Sequence, residues 1–306
     1  MRQKANWVCV GLAGLFALVA AAHAQVVFET TSAYHHILVS DNQGIRTLYF
    51  DHAPETRMAL ADPLKGHFEY TEYFHMPWLW NTNLKNVLMI GLGGASVARA
   101  YQRYYPEVMF EVVELDPKVW HVAKEFFGVQ ESRTLRIFIE DGRLHLRRSR
   151  KKYDAIFMDA YTANRYGSYI PYSLATTEFF TLTLDRLTEN GVLAYNVIGK
   201  LPTSRRDGEI VPALYQTLKA VFPQVYLFPA ARDYNVVLLA TTSAEPATLP
   251  KLNQRADALA AGKWAKTPQF KLRLQSFRSE LPAGAAKVQP LTDDFAPLDG
   301  MLNVAP

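Results

Sequence analysis

The chain has almost no cysteine. Cys9 is the single one among its 306 residues, and it lies in an N-terminal segment that we expect to be removed. Without another cysteine the mature protein has no disulfide, no thiolate nucleophile and no cysteine metal site. The sequence is thereby excluded from the disulfide-stabilised secreted domains and from the cysteine-dependent enzymes.

An excess of charge of one sign is also missing. The net charge is +4, and no dense basic run alternates with aromatic residues, so we expect no nucleic-acid partner. The one basic cluster, at 147–152, falls in a predicted helix-to-strand connection and is typical of a solvated loop. The eight histidines are scattered. Their one adjacent pair, His35 and His36, would point to opposite faces of a strand, so we expect no metal site.

The N-terminal segment differs in kind from the rest of the chain. Arg2 and Lys4 give it a positively charged start, and an uncharged, mostly apolar run follows at 8–21. Ala22 and Ala24 then supply the small residues of a cleavage site. The apolar run is short for a membrane span. We therefore predict a cleavable signal peptide, a protein exported to the periplasm or secreted, and no stable membrane span after processing.

A strand–turn–helix–strand unit begins at residue 86. An apolar run at 87–90 comes first, followed by a glycine-rich turn that contains Gly91, Gly93 and Gly94. A helical pattern then continues to about residue 105, and a second apolar run spans 109–113. Such a turn lets backbone N–H groups and a helix N-terminus approach a nucleoside-bearing ligand. Glu114 ends the second run, where its carboxylate can accept hydrogen bonds from both ribose hydroxyls. Tight packing of a helix on a sheet would explain the glycines alone, but it leaves Glu114 unexplained.

Strand and helix patterns alternate through the central region. Further strands are predicted at 135–139, 153–158, 192–197, 225–228 and 236–240, with helices at 118–127, 144–148, 173–187 and 207–221. This alternation predicts a mostly parallel sheet covered on both faces, with an antiparallel hairpin at one edge. An earlier hairpin pattern joins 36–39 to 46–50. We therefore predict an α/β fold in which a Rossmann-like sheet follows a small antiparallel β module.

The length favours about two domains after the signal peptide. We predict four segments in all. They are a signal peptide at 1–24, an N-terminal β-hairpin module with an aromatic helix at 25–80, a Rossmann-like nucleoside-binding catalytic domain at 81–245, and a C-terminal helix and tail at 246–306.

Three consecutive predicted strands end on acidic residues. These are Glu114, Asp141 and Asp159. Ligands of an open α/β sheet bind outside the carboxyl ends of its strands. We expect Glu114 to bind the ribose, Asp141 the exocyclic amine of an adenine, and Asp159 the end of the ligand where chemistry occurs. Asp141 precedes Gly142, and a helix cap is an alternative role for it.

In their order along the chain, these motifs resemble the spermidine synthase family of polyamine aminopropyltransferases, in its divergent bacterial branch. The matching segments are VLMIGLGGASVARAY, VVELDPKVWHVAKEFF, IEDGRLHL, YDAIFMDAY and, before them, FEYTEYFH. The resemblance implies the S-adenosylmethionine-dependent transferase type of sheet. It also implies transfer of an aminopropyl group from decarboxylated S-adenosylmethionine to an amine such as putrescine, with release of methylthioadenosine. Family members commonly pair through the N-terminal module, which implies a possible homodimer.

The resemblance also implies roles for individual residues. Asp159 matches the catalytic aspartate of the family, and a small polyamine is the expected partner. The donor would be bound by the residues of the strand ends: Gly91, Gly93, Gly94, Glu114, Asp141 and Gly142. Tyr70 and Glu72 match a segment that helps to hold the polyamine, and Tyr161 would extend the aromatic wall of that pocket.

Two departures leave alternatives open. Gly94 replaces an aspartate that, in the family, contacts the amino end of the donor, so ordinary S-adenosylmethionine is not excluded by charge. Thr162 replaces a second aspartate of the amine site. A methyltransferase and a non-catalytic exported binder of nucleosides or polyamines are therefore competing hypotheses. Asp293 and Asp294 are candidates for the amine site, although an exposed turn is the simpler interpretation of this pair.

Overall fold

The computed structural model describes residues 24–164, 167–202, 209–262, 266–298 and 301. The predicted signal peptide lies outside these residues, apart from Ala24.

The described chain begins with a four-stranded antiparallel sheet. Its strands follow one another in space as in sequence: β1 (Gln25–Thr31), β2 (His36–Asn42), β3 (Ile45–Phe50) and β4 (Ala53–Ala59). The turn between β2 and β3 has two residues, Gln43 and Gly44, both with positive φ (49° and 77°). That backbone matches the right-handed twist of the flanking strands and closes a tight hairpin, as the sequence predicts.

The aromatic stretch forms a 3₁₀ helix at Glu69–Leu79. It packs against the central sheet, and nearly all of its residues are buried. Phe74 lies with its ring centre 5.0 Å from that of Phe157, and its carbonyl accepts a hydrogen bond from the Tyr101 hydroxyl at 2.9 Å. This helix therefore connects the N-terminal sheet to the hydrophobic core of the rest of the protein.

The central sheet has seven strands. They are β5 (Asn86–Ile90), β6 (Met109–Glu114), β7 (Leu135–Ile139), β8 (Tyr153–Met158), β11 (Leu187–Ile198), β12 (Gln224–Pro229) and β13 (Asn235–Thr241). Two short strands, β9 (Thr162–Asn164) and β10 (Gly167–Tyr169), pair with each other outside this sheet. The spatial order is β12-β13-β11-β8-β5-β6-β7. Pairing is parallel from β11 to β7, and β13 runs antiparallel to both of its neighbours. The predicted fold class is confirmed: a mostly parallel Rossmann-like sheet follows a small antiparallel one.

Seven α-helices accompany these strands in the described residues. They are α1 (Ser96–Tyr104), α2 (Pro117–Phe127), α3 (Gly142–Arg148), α4 (Thr177–Arg186), α5 (Ile210–Lys219), α6 (Leu249–Ala261) and α7 (Phe270–Leu274). The predicted helix at 173–187 starts too early, because Thr176 is the N-cap of α4 and its hydroxyl accepts from the backbone N–H of Phe179. In the described part of the chain, no helix combines the length and the apolar character that crossing a membrane requires.

The C-terminal region is fixed to the aromatic helix by a buried ion cluster. The guanidinium of Arg273, on α7, donates to Glu69 at 3.0 Å and to Glu72 at 2.6 Å. Glu69 also accepts from the backbone N–H of Ala231 at 2.9 Å. These contacts connect α7, the β12–β13 loop and the first turn of the 3₁₀ helix. The division of the chain at residues 80 and 245 stays a prediction.

Candidate active site

A cleft lies at the carboxyl ends of the parallel strands. Its walls come from the β5–α1 turn, from the residues that follow β6, β7 and β8, and from the N-terminal sheet. Of the predicted site residues, eight line it: Gly91, Gly93, Glu114, Asp141, Gly142, Asp159, Tyr70 and Tyr161. The structure does not bring Gly94 and Glu72 to the cleft wall.

Gly91 allows the two central loops to meet. Its φ is +95°, and a Cβ atom built on it would lie 2.1 Å from the backbone oxygen of Asp159. Its own N–H donates to the carbonyl of Val113 at 2.9 Å. A residue with a side chain would therefore push the turn away from the loop that carries Asp159. The glycine is required by a close backbone approach that shapes the cleft.

Gly94 faces the N-terminal sheet. Its N–H donates to the Thr56 hydroxyl at 2.8 Å, and a Cβ atom on it would lie 2.6 Å from the Thr56 methyl carbon. The expectation that Gly94 binds the donor stays a prediction, and in this structure β4 covers the position. The cleft wall nearby is formed by Gly93 and Ser96 together with Glu55. No local sequence pattern indicates this contact of Thr56 with the turn.

Glu114 is held by backbone N–H groups. One carboxylate oxygen accepts from Leu92 at 3.0 Å and the other from Asp116 at 2.9 Å. Removal from water nevertheless raises the pKa of Glu114 from 4.5 to about 7, because desolvation outweighs these hydrogen bonds. Near neutral pH its carboxyl group is therefore divided between the charged and the neutral form. Two hydroxyls of a ribose could add the hydrogen bonds that favour the charged form.

Asp141 lies at the end of the next strand and caps a helix. Its carboxylate accepts from the backbone N–H of Leu144 at 2.7 Å, which makes it the N-cap of α3. It also lines the cleft, so the two roles that the sequence left open are compatible. Gly142 packs closely under the sheet, since a Cβ atom on it would lie 2.4 Å from Ile90 Cγ2.

Asp159 follows β8 and has two side-chain partners. The Tyr70 hydroxyl donates to Oδ2 at 3.1 Å, and the Asn196 amide donates to Oδ1 at 2.9 Å. Removal from water raises the pKa of Asp159 from 3.8 to about 6, while both hydrogen bonds lower it. A carboxyl group with this pKa can gain and lose a proton near neutral pH, as a general base must.

Tyr161 presents its ring to the same end of the cleft. Its hydroxyl donates to the backbone oxygen of Asn196 at 2.9 Å and accepts from the N–H of Ile198 at 2.8 Å. Burial raises its pKa well above the usual value, so the phenol stays neutral. With its hydroxyl bound to the backbone of β11, Tyr161 contributes an aromatic face.

Glu72 is turned away from the cleft. Its carboxylate accepts from Arg273 at 2.6 Å and from His67 at 3.1 Å. The expectation that it contacts the amine substrate conflicts with this placement, because the side chain belongs to the buried ion cluster. The preceding residue, Thr71, lines the cleft instead.

Asp293, a candidate for the amine site, lies elsewhere. It forms a bidentate ion pair with Arg143, at 2.8 and 2.6 Å, and also accepts from Thr176. These contacts fix the C-terminal segment against α3 and α4, and neither Asp293 nor Asp294 lines the cleft. The simpler interpretation, a turn outside the site, agrees with this placement.

Sequence reasoning missed Asn196. It lies near the carboxyl end of β11, only 2% exposed, with its amide on Asp159. The usable signal was a polar residue inside the apolar run at 192–198, near the strand end, which is the rule that located Asp159 itself. Among the described residues no group of three or more histidine, cysteine or acidic side chains could hold a metal ion.

Known proteins resemble this chain in sequence and in fold. A family model described as the spermine/spermidine synthase domain matches residues 67–246. A polyamine aminopropyltransferase of Vibrio vulnificus is 32% identical over 285 residues, which is 89% of this chain and 90% of the relative. The "probable spermidine synthase" from Corynebacterium glutamicum superposes with a TM-score of 0.65 at 16% identity, covering 89% of this chain and 98% of that one.

A second kind of neighbour has the same sheet. Human methyltransferase-like protein 13, solved in complex with SAH, superposes with a TM-score of 0.54 at 25% identity. The match covers 64% of this chain and 90% of that one. It therefore lacks part of the present chain, whereas the Vibrio vulnificus relative matches nearly all of it. On the family model and on this relative, the chain belongs to the spermine/spermidine synthase family.

Proposed function

We propose that the protein transfers an aminopropyl group from decarboxylated S-adenosylmethionine to a small amine such as putrescine and releases methylthioadenosine. The observation that carries the proposal is the desolvated carboxyl group of Asp159 in the cleft, hydrogen-bonded to Tyr70, in a chain of this family. The related aminopropyltransferase of Vibrio vulnificus, which matches nearly the whole chain, supports the same reaction.

The spacing of two carboxylates suits the donor. Glu114 is the last residue of β6, Asp159 follows β8, and β5 lies between these strands. Two strand spacings separate the carboxylates by about 10 Å across the sheet. That span fits a nucleoside whose ribose is bound by Glu114 and whose reacting carbon reaches Asp159. We expect Asp141, at the end of the next strand out, to bind the adenine amine.

The chemistry requires an unprotonated nitrogen. A primary alkylamine has a pKa of about 10, similar to that of lysine, and therefore arrives as an ammonium ion. Ionised Asp159 accepts a hydrogen bond from this ammonium and takes a proton from it. The nitrogen lone pair then attacks the methylene carbon beside the sulfonium, and the carbon–sulfur bond breaks with its electron pair moving to sulfur. Methylthioadenosine and the elongated amine are the products.

The walls around Asp159 suit a cationic acceptor. Glu55, from β4, lines this part of the cleft and acts electrostatically on both Tyr70 and Tyr161. Two aromatic faces and two carboxylates favour binding of an ammonium ion. We propose that Glu55 contributes the negative charge that Thr162 no longer supplies.

Direct assay tests the activity. The purified protein would be incubated with decarboxylated S-adenosylmethionine and putrescine, and methylthioadenosine would be measured by liquid chromatography. We expect release of methylthioadenosine, and a loss of about 10²–10⁴-fold in Asp159→Asn. Absence of methylthioadenosine with putrescine and with several other diamines would contradict the proposal.

Methyl transfer is the second candidate. It is favoured by the likeness to the human methyltransferase-like protein, which was solved in complex with SAH. S-adenosylmethionine labelled in its methyl group distinguishes the two reactions. A labelled amine product would establish methyl transfer, whereas unlabelled product formed only from the decarboxylated donor would support aminopropyl transfer.

Export remains a proposal that rests on the sequence of residues 1–24. Fusing this segment to alkaline phosphatase, which is active only outside the cytoplasm, tests it, and the N-terminal residue of the processed protein should be Gln25.

Export would favour the binding-protein hypothesis, for which calorimetry would show tight binding of a nucleoside or polyamine without turnover. We also propose a homodimer, which the mass of the protein in solution would test.

A further inference from the structure

Asn196 bridges the cleft carboxylate to a residue on the neighbouring strand of the central sheet. It is buried on β11, and its amide nitrogen donates to Asp159 at 2.9 Å. Its amide oxygen accepts from the side-chain nitrogen of Asn235, on β13, at 3.0 Å. The three side chains thus form one chain of hydrogen bonds.

The two ends of the Asn196 amide have different partners. The oxygen and nitrogen of an amide are distinguished by their partners. The amide oxygen of Asn196 is engaged by the Asn235 donor, so its NH₂ group is directed at Asp159. The backbone of Asn196 is itself fixed, because β11 pairs with β13 on one side and its carbonyl accepts from Tyr161 on the other.

We propose that Asn196 is a positioning residue for Asp159, and that Asn235 acts through it by fixing the amide with its NH₂ group toward the carboxylate. This inference rests on the proposed function of Asp159 as the base. An NH₂ group can donate to an ionised carboxylate, whereas an amide oxygen in the same place would repel it and accept from the protonated form. The amide orientation therefore favours the charged Asp159 that can receive a proton.

Other groups also act on this carboxylate. From the 3₁₀ helix, the Tyr70 hydroxyl donates to the second oxygen of Asp159. From the same loop, Tyr161 interacts with Asp159 electrostatically, and Glu55 from β4 acts on both tyrosines. These groups are unchanged when Asn235 is altered. A neutral variant at that position therefore isolates the effect of the amide, whereas an acidic one also adds a negative charge near Asp159.

The first variant is Asn235→Asp. A carboxylate at this position cannot donate, so the Asn196 amide should turn over, give its NH₂ group to the new acid and present its oxygen to Asp159. We expect the pKa of Asp159 to rise by at least about one pH unit, since a hydrogen bond to a charged group is lost. Asn235→Ala, which adds no charge, should give a smaller rise, and Asn196→Leu should give a rise without any reorientation.

The measurement is carbon NMR of the ligand-free protein labelled in its aspartate carboxyl groups. The Asp159 signal is identified by its absence in Asp159→Asn, and its pKa is read from a titration between pH 4 and 9. Because no turnover is needed, the result stands even if no methylthioadenosine is formed. Failure of the proposed function and failure of this inference are thus separate outcomes.

A matched control lies at the other end of β8. There the Asn81 amide donates to the carboxylate of Asp154 at 3.4 Å, and Asn81→Asp should leave the Asp159 titration unchanged. If the enzyme is active, the pKa seen on the acid side of the kcat/KM profile should rise in Asn235→Asp. The rise should equal the change in the Asp159 pKa measured by NMR. An Asp159 pKa within about 0.3 unit of the original in both Asn235→Ala and Asn196→Leu would overturn the proposal, even if the pKa rises in Asn235→Asp, because the added carboxylate alone raises it.

Discussion

Binding of methylthioadenosine should depend steeply on pH because of one side chain. Glu114 has a pKa of about 7 in the ligand-free cleft, and only its charged form accepts hydrogen bonds from both ribose hydroxyls. About one-tenth of the protein is ready to bind at pH 6 and about nine-tenths at pH 8. The dissociation constant should therefore be about tenfold larger at pH 6 than at pH 8.

The direction of this pH dependence follows from the raised pKa of Glu114. Binding favours the charged carboxylate, so the ligand lowers the pKa of Glu114 and the complex releases a proton. At pH 7 about half a proton should leave for each methylthioadenosine bound, rising to about nine-tenths at pH 6. Methylthioadenosine is the suitable ligand because it carries no sulfonium charge, so the ionisation of Asp159 contributes little to the measured pH dependence.

Isothermal titration calorimetry at pH 6, 7 and 8 measures both quantities. Two buffers of different ionisation enthalpy give the number of protons released. Glu114→Gln should bind more weakly at pH 8 and should show no pH dependence. Glu140→Gln is the matched control, because Glu140 also lines the cleft but its carboxylate is bound to His145 at 2.8 Å. In this variant the dissociation constant should keep its original dependence on pH. A dissociation constant that is equal at pH 6 and pH 8, or a Glu114→Gln variant with the original slope, would refute the reasoning.

Three further predictions concern single residues. Gly91→Ala should destabilise the protein by several kcal/mol in a denaturant titration and abolish methylthioadenosine binding, because the added Cβ would overlap a backbone oxygen. Gly128→Ala is the control, since Gly128 also has a positive φ but faces open space. It should lower the free energy of unfolding by only about 1 kcal/mol in the same titration. Arg273→Gln should lower the free energy of unfolding by about 3 kcal/mol, because it leaves the buried Glu69 with less compensating charge; an unchanged denaturation midpoint would contradict this. Tyr70→Phe removes a hydrogen bond to Asp159, the proposed base, so the pKa seen on the acid side of its kcat/KM profile should rise by about one pH unit. An unchanged pKa would exclude this role of Tyr70.

Local patterns predicted most of the fold. The apolar runs at 135–139 and 153–158 are β7 and β8 with the same bounds, because buried parallel strands have continuous apolar sequence. The acids after the strands were located by the general rule for open sheets, and three of them line the cleft. Periodicity and strand ends depend on residues close in sequence, so a single chain reveals them.

Contacts between distant residues could not be predicted in this way. Glu72 was assigned to the amine site, but its partner Arg273 lies 201 positions away in sequence. Gly94 was assigned to the donor site, but Thr56 from a different sheet covers it. Asn196 was missed because its role depends on Asp159, 37 positions earlier. In each case the decisive partner is brought in by tertiary packing, which no local pattern records.

The burial of the aromatic 3₁₀ helix decides where relatives could be recombined. Its residues pack into the core beneath the central sheet, and Tyr70 reaches the cleft from its first turn. A chimaera joined at residue 80 would place one parent's helix on the other parent's core, with mismatched aromatic contacts at Phe74 and Trp78. A junction before Phe68 would exchange only the antiparallel sheet. In a library of chimaeras made by recombining related genes, the crossover points should therefore be confined to the short connection between β4 and this helix.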